Sequence, residues 1–365
     1  MSRGELADLT ASLVSIPSHE DETAAGDAIE AWLREETDAR VERDGAGNVL
    51  ARKGSGERSL ALVGHHDVVP PDDAQVTADG EYVVEERDGR IFGRGSADMK
   101  GAVAAAMLAL RDATPPEGTE LVFASFVGEE IGGTGARHAI DEGFAPDHAI
   151  VAEGSTNYSG PGVTDVVVAH KGRRASTLVA RGSAAHASEP EAGVNAVYRA
   201  CDAVDLVREL APPEAEVNGE RVQGSLVVTG IDGGSAWNVV PEKCEVTIDE
   251  RTVPGDRADL GSVEAAVEGV EWVVEQDLPP MACSDDAFAD RVLEVAREVQ
   301  AGVETEPQHV LKPHATDAGW LAGAGTASVV CGASEPGEAH TKDESVSVDV
   351  LERCYRIYRG VADGA

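Results

Sequence analysis

Five short segments of the chain carry side chains that together could bind metal ions. GHHDVVP from Gly64 contains His65 and Asp67, an imidazole that can ligate a metal and a carboxylate that can hold its other ring nitrogen. GRGSADMKG from Gly93 presents Asp98 after a glycine-rich turn and just before a predicted helix. Taken singly, these segments also fit a hydrogen-bonded structural histidine and a helix-capping aspartate, so their chemistry depends on the other segments.

The third segment, VGEEIGGTGA from Val127, places two glutamates side by side after an apolar run. Two like charges in such a setting are costly unless a positive charge lies between them, and a metal ion would provide that charge. Adjacent side chains point in different directions. Glu130 can therefore ligate while Glu129 reaches the attacking water as general base.

VAEGSTN from Val151 and GEAHTKDE from Gly337 complete the set of candidate ligands. These ligands are nitrogen and oxygen donors only, which suits Zn²⁺ and also admits Co²⁺ or Mn²⁺. They are acidic enough to hold two divalent cations with one carboxylate shared between them, and Asp98 is the predicted bridge. The predicted ligands are His65, Asp98, Glu130, Glu153 and His340.

The elements that must position these segments alternate along the chain. Apolar runs predict strands at 59–64, 119–126, 148–153 and 326–331, and helical patterns lie between them at 99–113, 131–143 and 284–300. This alternation predicts an α/β protein with a mixed, largely parallel sheet and flanking helices. Four of the five segments follow a predicted strand, where an open α/β sheet places its ligands.

The pattern of predicted secondary structure changes at about residue 163. Two β-branched strands are predicted around a turn at Lys171 and Gly172, which would form a hairpin. The block predicts an inserted α+β sandwich over 163–276, whose exposed sheet edge could pair with another chain. Residues 1–162 and 277–365 would then form one discontinuous domain that carries the candidate ligands. The further predicted elements of the block are a helix at 191–210, strands at 224–231 and 242–253, and a helix at 259–269.

The charge of the chain excludes polyanionic partners. It has 67 acidic and 30 basic residues, a formal net charge of -37, which argues against nucleic acid and against anionic membranes. Only six of the basic residues are lysines. This acid excess with arginine in place of lysine indicates adaptation to high salt, where self-repulsion is screened.

The cysteines and the first residues predict a cytoplasmic protein. The first eighteen residues predict an amphipathic helix and lack the apolar run of a secretory signal. No segment has the length and apolar character of a membrane span. The five cysteines lack the close spacing of a thiolate metal site and are predicted to be reduced: Cys201, Cys244, Cys283, Cys331 and Cys354.

The order of the segments resembles the M20 family of metallopeptidases and deacylases over nearly the whole chain. The shared order is H-x-D, GRG-x-x-D-x-K-G, G-E-E, a strand ending in glutamate, and a late histidine. GSAAHASEPEAGVNAV from Gly182 and GGSAWNVVPEKCEVTIDER from Gly233 are similar to motifs of that family's dimerisation domain. The resemblance implies a zinc-exopeptidase-like catalytic domain, residues 163–276 as a dimerisation and lid domain, and a homodimer.

The resemblance also implies a role for each ligand. His65 and Glu153 would hold the first metal ion, Glu130 and His340 the second, and Asp98 would bridge the two. Two divalent cations, with Zn²⁺ as the expected metal, would thus be the cofactor.

Further roles follow from the same resemblance. Asp67 would orient His65, and Glu129 would be the catalytic carboxylate that takes a proton from the attacking water and passes it to the leaving amine. His186 would reach the active site of the neighbouring subunit and help to stabilise the oxyanion. Asn238 and Arg251 would bind polar groups of the substrate, commonly a carboxylate.

For these last three residues a structural interpretation stays open. His186 could be a turn residue, Asn238 could cap a β-turn before Pro241, and Arg251 could pair with a nearby acid. One segment, LKPHATDAGW from Leu311, departs from the glycine-rich segment that deacylases of the family often have there. Within it Thr316 and Asp317 match, and His314 could touch the substrate.

The resemblance implies a hydrolase of N-acyl amino acids of the acetylornithine deacetylase and succinyl-diaminopimelate desuccinylase branch, with a role in amino-acid biosynthesis. The amide would be cut to a carboxylate and a free amine. Within the family, a dipeptidase and a hydrolase that frees lysine or ornithine from a carrier protein are the alternatives. A metal-free relative that serves as a binding module is disfavoured, because every ligand position and Glu129 carry competent residues.

Overall fold

The computed structural model describes residues 1–217 and 219–364. Short helical turns lie at Asp73–Gln75, Ser96–Lys100 and Pro190–Ala192. The helices are α1 Arg3–Val14, α2 Thr23–Glu36, α3 Gly101–Asp112, α4 Thr134–Asp141, α5 Ala196–Glu209, α6 Gly261–Ala266, α7 Asp286–Val299, α8 Ala318–Gly323 and α9 Val348–Gly364. None of the helices within the described ranges combines the length and the apolar character needed to cross a bilayer.

The strands of the described ranges are short to medium in length, as is usual for α/β proteins. They are β1 Arg40–Arg43, β2 Val49–Gly54, β3 Gly56–His65, β4 Glu85–Arg87, β5 Arg90–Phe92, β6 Gly118–Phe126, β7 His148–Val151, β8 Val166–His170, β9 Gly172–Arg181, β10 Glu214–Val217, β11 Glu220–Gln223, β12 Ser225–Gly233, β13 Lys243–Thr252, β14 Val270–Leu278, β15 Met281–Ala282, β16 His309–Lys312, β17 Ala327–Val330 and β18 Ser345–Ser347.

The chain divides into two units. The first unit comprises residues 1–169, 281–312 and 316–365, and the second comprises 170–280 and 313–315. The first unit contains a nine-stranded sheet of order β1-β2-β6-β3-β7-β17-β8-β15, with β16 paired to β8. Its neighbours β6, β3, β7 and β17 run parallel, whereas β1, β2 and β8 pair antiparallel. The predicted mixed α/β sheet is therefore confirmed.

The core of the first unit lies on both faces of this sheet. Leu60 and Leu62 of β3 belong to one apolar cluster, whereas Ala61 and Val63 belong to another, because successive side chains of a strand point to opposite faces. Helix α3 packs in the first cluster, and residues 101–110 are all buried. A strand covered on both faces must be apolar throughout, which explains the continuous apolar run of β3. The buried α3 also anchors the turn before it, which carries Asp98.

The second unit contains a four-stranded sheet of order β12-β13-β9-β14, and its pairs are antiparallel. Buried side chains alternate along β13, so one face of this sheet packs in a core. That core includes residues of α5 and α6, such as Ala200 and Val263. Strand β12 lies at an edge, where Val227 and Ile231 are exposed.

The prediction of a hairpin at Lys171 and Gly172 is wrong. Strand β8 pairs with β17 in the nine-stranded sheet, whereas β9 pairs with β13 and β14 in the four-stranded sheet. The burial of the two strands gives the physical reason. All residues of β8 are buried, as in a strand covered on both faces, whereas burial alternates over much of β9.

Candidate metal centre

The carboxyl ends of three adjacent parallel strands bring the candidate residues together. His65 is the last residue of β3, Glu153 follows the end of β7, and Glu129 and Glu130 follow the end of β6. Because these strands are parallel neighbours, their carboxyl ends meet at one edge of the sheet. Asp98 lies in the turn before α3.

Asp98 lies between two imidazoles. Its Oδ1 atom is 3.2 Å from His65 Nε2, and its Oδ2 atom is 3.1 Å from His340 Nε2. His65 Nε2 is also 3.3 Å from Glu153 Oε1, and His340 Nε2 is 2.9 Å from Glu130 Oε1. The five predicted ligands thus form two groups that share Asp98. We call His65 with Glu153 the first half-site, and His340 with Glu130 the second half-site.

The two adjacent glutamates have different neighbours, although both have a carboxylate oxygen near His65. Ligand atoms of His65, Glu129 and Glu153 lie within 4.8 Å of one another, and so do those of His65, Asp98 and Glu130. Glu129 therefore lies beside the first half-site, whereas Glu130 contacts His340 of the second. This divergence was expected from their adjacency in sequence.

Asp67 supports both His65 and the turn that carries the two glutamates. Its backbone oxygen is 3.0 Å from His65 Nδ1, and its carboxylate Oδ1 is 3.3 Å from the same nitrogen. The carboxylate also accepts hydrogen bonds from the backbone N–H groups of Glu129 (3.1 Å) and Glu130 (3.0 Å). The contact with His65 was predicted from the sequence, whereas the contacts with the turn were not, because they depend on the pairing of β3 with β6.

Several buried carboxyl groups lie close together in the centre, and their pKa values are shifted as a result. Burial opposes ionisation of Asp98, but hydrogen bonds from His340 and His65 hold its pKa well below its usual range. Hydrogen bonds to Asp98 and Glu130 raise the pKa of His340 to about 10. Burial raises the pKa of Glu129 well above its usual range and also raises that of Glu130. These carboxyl groups require more positive charge, and a nitrogen and oxygen donor set fits divalent cations.

Two further ionisable groups lie beside the centre: Lys312, which was not predicted, and Asp317, which the sequence marked only as a match to the family pattern. Lys312 Nζ donates to Glu153 Oε2 (3.2 Å) and to the Gly154 carbonyl oxygen (3.0 Å), and only 8% of the residue is exposed. Lys312 thus binds the oxygen of Glu153 that does not face His65. Asp317 is buried, and burial raises its pKa to about 7. The only signal for Lys312 in the sequence was its position in the segment LKPHATDAGW, which departs from the family pattern.

The predicted substrate residues lie in the second unit. His186 Nδ1 is 2.6 Å from Ser188 Oγ, and Asn238 Nδ2 is 3.5 Å from His186 Nε2, so these two side chains are neighbours. Arg251 lies on β13 and its Nε donates to Asp249 Oδ1 at 2.8 Å, the pairing with an acid that its structural interpretation expected.

Comparison with known proteins agrees with the geometry. Residues 61–363, which include all the candidate ligands, match Peptidase family M20/M25/M40. The acetylornithine deacetylase of Myxococcus xanthus is 31% identical over 343 residues, which cover 87% of this chain and 83% of that protein. The acetylornithine deacetylase of Proteus mirabilis (strain HI4320) is 28% identical over 333 residues, 85% of this chain and 80% of that protein.

Solved structures show the same fold. The aminopeptidase PepT of Bacillus cereus superposes with a TM-score of 0.79 at 19% identity, covering 100% of this chain and 98% of that one. A dinuclear metal-binding peptidase from the M20 family of Bacillus subtilis superposes with a TM-score of 0.71 at 15% identity, covering 99% and 97%.

Proposed function

The chain belongs to peptidase family M20/M25/M40 and is a hydrolase of amide bonds, and on that premise we propose that it cleaves N-acyl amino acids with a pair of divalent cations. The products are a carboxylate and a free amine. The observation that carries the proposal is the position of Asp98, which has one carboxylate oxygen next to the imidazole of His65 and the other next to that of His340. Similarity to two acetylornithine deacetylases supports the choice of substrate class.

In the proposed centre, His65 and Glu153 hold the first cation, Glu130 and His340 hold the second, and Asp98 is shared. Zn²⁺ is the proposed metal, with Co²⁺ or Mn²⁺ as alternatives that accept the same donors. When bound, the cations polarise the scissile carbonyl and activate the attacking water.

Glu129 is the proposed general base and acid. Its carboxylate lies beside the first half-site, and its backbone N–H is held by the Asp67 carboxylate. It takes a proton from the attacking water and then delivers that proton to the leaving amine. Asp67 acts through its neighbours, because it keeps both His65 and the Glu129 turn in place.

The second unit supplies the proposed dimerisation and lid domain, and the functional unit is proposed to be a homodimer. An edge strand with exposed Val227 and Ile231 supports self-pairing, since the same edge of two copies can form an isologous contact. His186 would then act in the neighbouring subunit's site, with Asn238 and Arg251 binding the substrate's polar groups.

Mixing two inactive variants tests this exchange of residues. A Glu129→Gln chain and a His186→Ala chain should each be nearly inactive, whereas mixed dimers contain one site with both groups intact. Partial recovery of activity is therefore expected after the subunits are exchanged. Self-mixed samples of each variant are the controls. Without recovery in samples shown to have exchanged subunits, His186 would not act across the dimer.

The substrate class is tested with a panel of N-acetyl and N-succinyl amino acids, dipeptides and a lysine- or ornithine-loaded carrier protein. Assays use high salt with Zn²⁺ or Co²⁺, because the net charge of -37 suits a high-salt cytoplasm. We expect kcat/KM at least about tenfold higher for one N-acyl amino acid than for any dipeptide. If the enzyme prefers dipeptides or the loaded carrier, the proposed substrate class is wrong, but the assignment as an amide hydrolase still holds.

The proposed setting is amino-acid biosynthesis in the cytoplasm. The five cysteines are free thiols, which supports a reducing compartment. The biosynthetic role follows the similarity to acetylornithine deacetylases.

A further inference from the structure

A buried ion pair contacts the turn that carries Asp98. Arg94 and Glu344 are 3% and 1% exposed, and Arg94 donates to Glu344 Oε2. The other oxygen, Oε1, accepts hydrogen bonds from the backbone N–H groups of Ala97 (3.0 Å) and Asp98 (3.1 Å). The Glu344 backbone oxygen also accepts from the N–H of Gly93 at 3.1 Å. Glu344 thus binds the turn at several points.

The turn depends on these bonds because it is irregular. Gly95 has a left-handed conformation with φ of 83°, and Asp98 has φ of -128° and ψ of 92°, far from helical values. In a regular helix, the N–H groups of residues 97 and 98 would be accepted by carbonyl oxygens of the same helix or by its N-cap side chain. Here a carboxylate 246 residues further along the chain accepts the N–H of Asp98.

We propose that Glu344, held by Arg94, is a positioning residue that keeps the Asp98 carboxylate between the two half-sites, an inference that rests on the proposed dinuclear function. Asp98 needs one oxygen toward each imidazole, so a rotation of its backbone would misplace both oxygens at once. Outer groups that orient a metal ligand typically change metal affinity by about 10–100-fold when they are removed.

The test must separate positioning from the ordinary stability of a buried ion pair. The double variant Arg94→Met/Glu344→Leu removes both charges together, so it leaves no unpaired buried charge, but it also removes the acceptor. The double variant Arg94→Met/Glu344→Gln lacks the same charges and keeps an amide oxygen as acceptor. The two variants differ in the hydrogen bonds offered to Ala97 and Asp98.

We expect the Leu variant to bind Co²⁺ about 10–100-fold more weakly than the wild type, measured by competition with a chelating dye. Its Co²⁺ absorption spectrum should also change, because the ligand geometry changes. The Gln variant should bind Co²⁺ nearly as tightly as the wild type and restore the spectrum. Equal affinities for the Leu variant and the wild type, or equal losses in the Leu and Gln variants, would overturn the proposal.

The second unit offers a matched control. Glu250 is a fully buried carboxylate that accepts from Arg174 Nε (2.6 Å) and from the backbone N–H of Ala258 (2.8 Å). Arg174→Met/Glu250→Leu should change the Tm and leave Co²⁺ affinity unaltered. A comparable loss of Co²⁺ affinity there would show that any buried pair has this effect and would overturn the proposal.

A charge-preserving variant covers the case in which the Leu variant does not fold. Glu344→Asp keeps the pair with Arg94 but shortens the side chain, so it cannot reach both Arg94 and the two N–H groups. Weaker Co²⁺ binding at unchanged Tm supports the proposal, and unaltered binding contradicts it. Failure of the wild type to bind two Co²⁺ ions would instead contradict the proposed dinuclear function, whatever the variants do.

Discussion

Glu129→Gln is expected to lower kcat by about 10²–10⁴-fold while both cations remain bound. Glutamine has nearly the same shape as glutamate but does not accept the proton that the reaction must move. The position of the residue should survive, since the Asp67 carboxylate holds the backbone N–H of residue 129 and not its side chain. The measurement is kcat with the preferred N-acyl amino acid, together with metal content by elemental analysis.

Glu130→Gln is the contrasting variant, because Glu130 contacts His340 in the second half-site. It should lose metal, whereas Glu129→Gln should not. The assignment of base and ligand between the two glutamates is wrong if Glu129→Gln loses its metals or keeps near-normal turnover.

Asp98→Asn is expected to weaken binding at both half-sites and to lower activity by about 10³-fold or more. A metal contributes several kcal/mol of transition-state stabilisation, and each 1.36 kcal/mol corresponds to about tenfold in rate. The variant keeps the size of the side chain but removes the charge that lies against His65 and His340. Metal stoichiometry after dialysis against buffered Zn²⁺ and the rate under the same conditions are measured.

Asp285→Asn is the matched control for Asp98→Asn. Asp285 Oδ2 lies 2.9 Å from His148 Nε2, so Asp285 is also an aspartate paired with a histidine. Its other carboxylate oxygen, Oδ1, accepts from the backbone N–H of Phe288 at 3.1 Å, and neither partner is a candidate ligand. Its replacement should leave metal content and rate near the wild-type values. An Asp98→Asn protein that retains two Zn²⁺ ions per chain would remove Asp98 as the shared ligand.

Local patterns predicted much of the first unit. The strands predicted at 59–64 and 119–126 correspond to β3 Gly56–His65 and β6 Gly118–Phe126, because a continuous apolar run is visible without knowledge of its partners. The helix predicted at 99–113 corresponds to α3 Gly101–Asp112. No helix was predicted at 348–364, although Leu351, Tyr355 and Tyr358 recur there at helical spacing and are buried in α9.

Predictions that depended on strand partners were less successful. The hairpin at residues 171 and 172 failed, since a single residue can separate strands of two sheets and no local signal specifies which partner a strand chooses. Strand β14, Val270–Leu278, was not predicted, because its charged residues conceal the alternation of a strand at a sheet edge.

By itself, the sequence determined the types of candidate ligand, their order and their places after strands, since these are properties of short segments. Only the tertiary structure decided which imidazole faces which carboxylate, and that Lys312 binds Glu153 and Glu344 binds the Asp98 turn. These contacts join residues 33 to 246 positions apart in the chain. Such distances follow from the pairing of parallel strands and from the packing of helices against them, which short-range patterns do not encode.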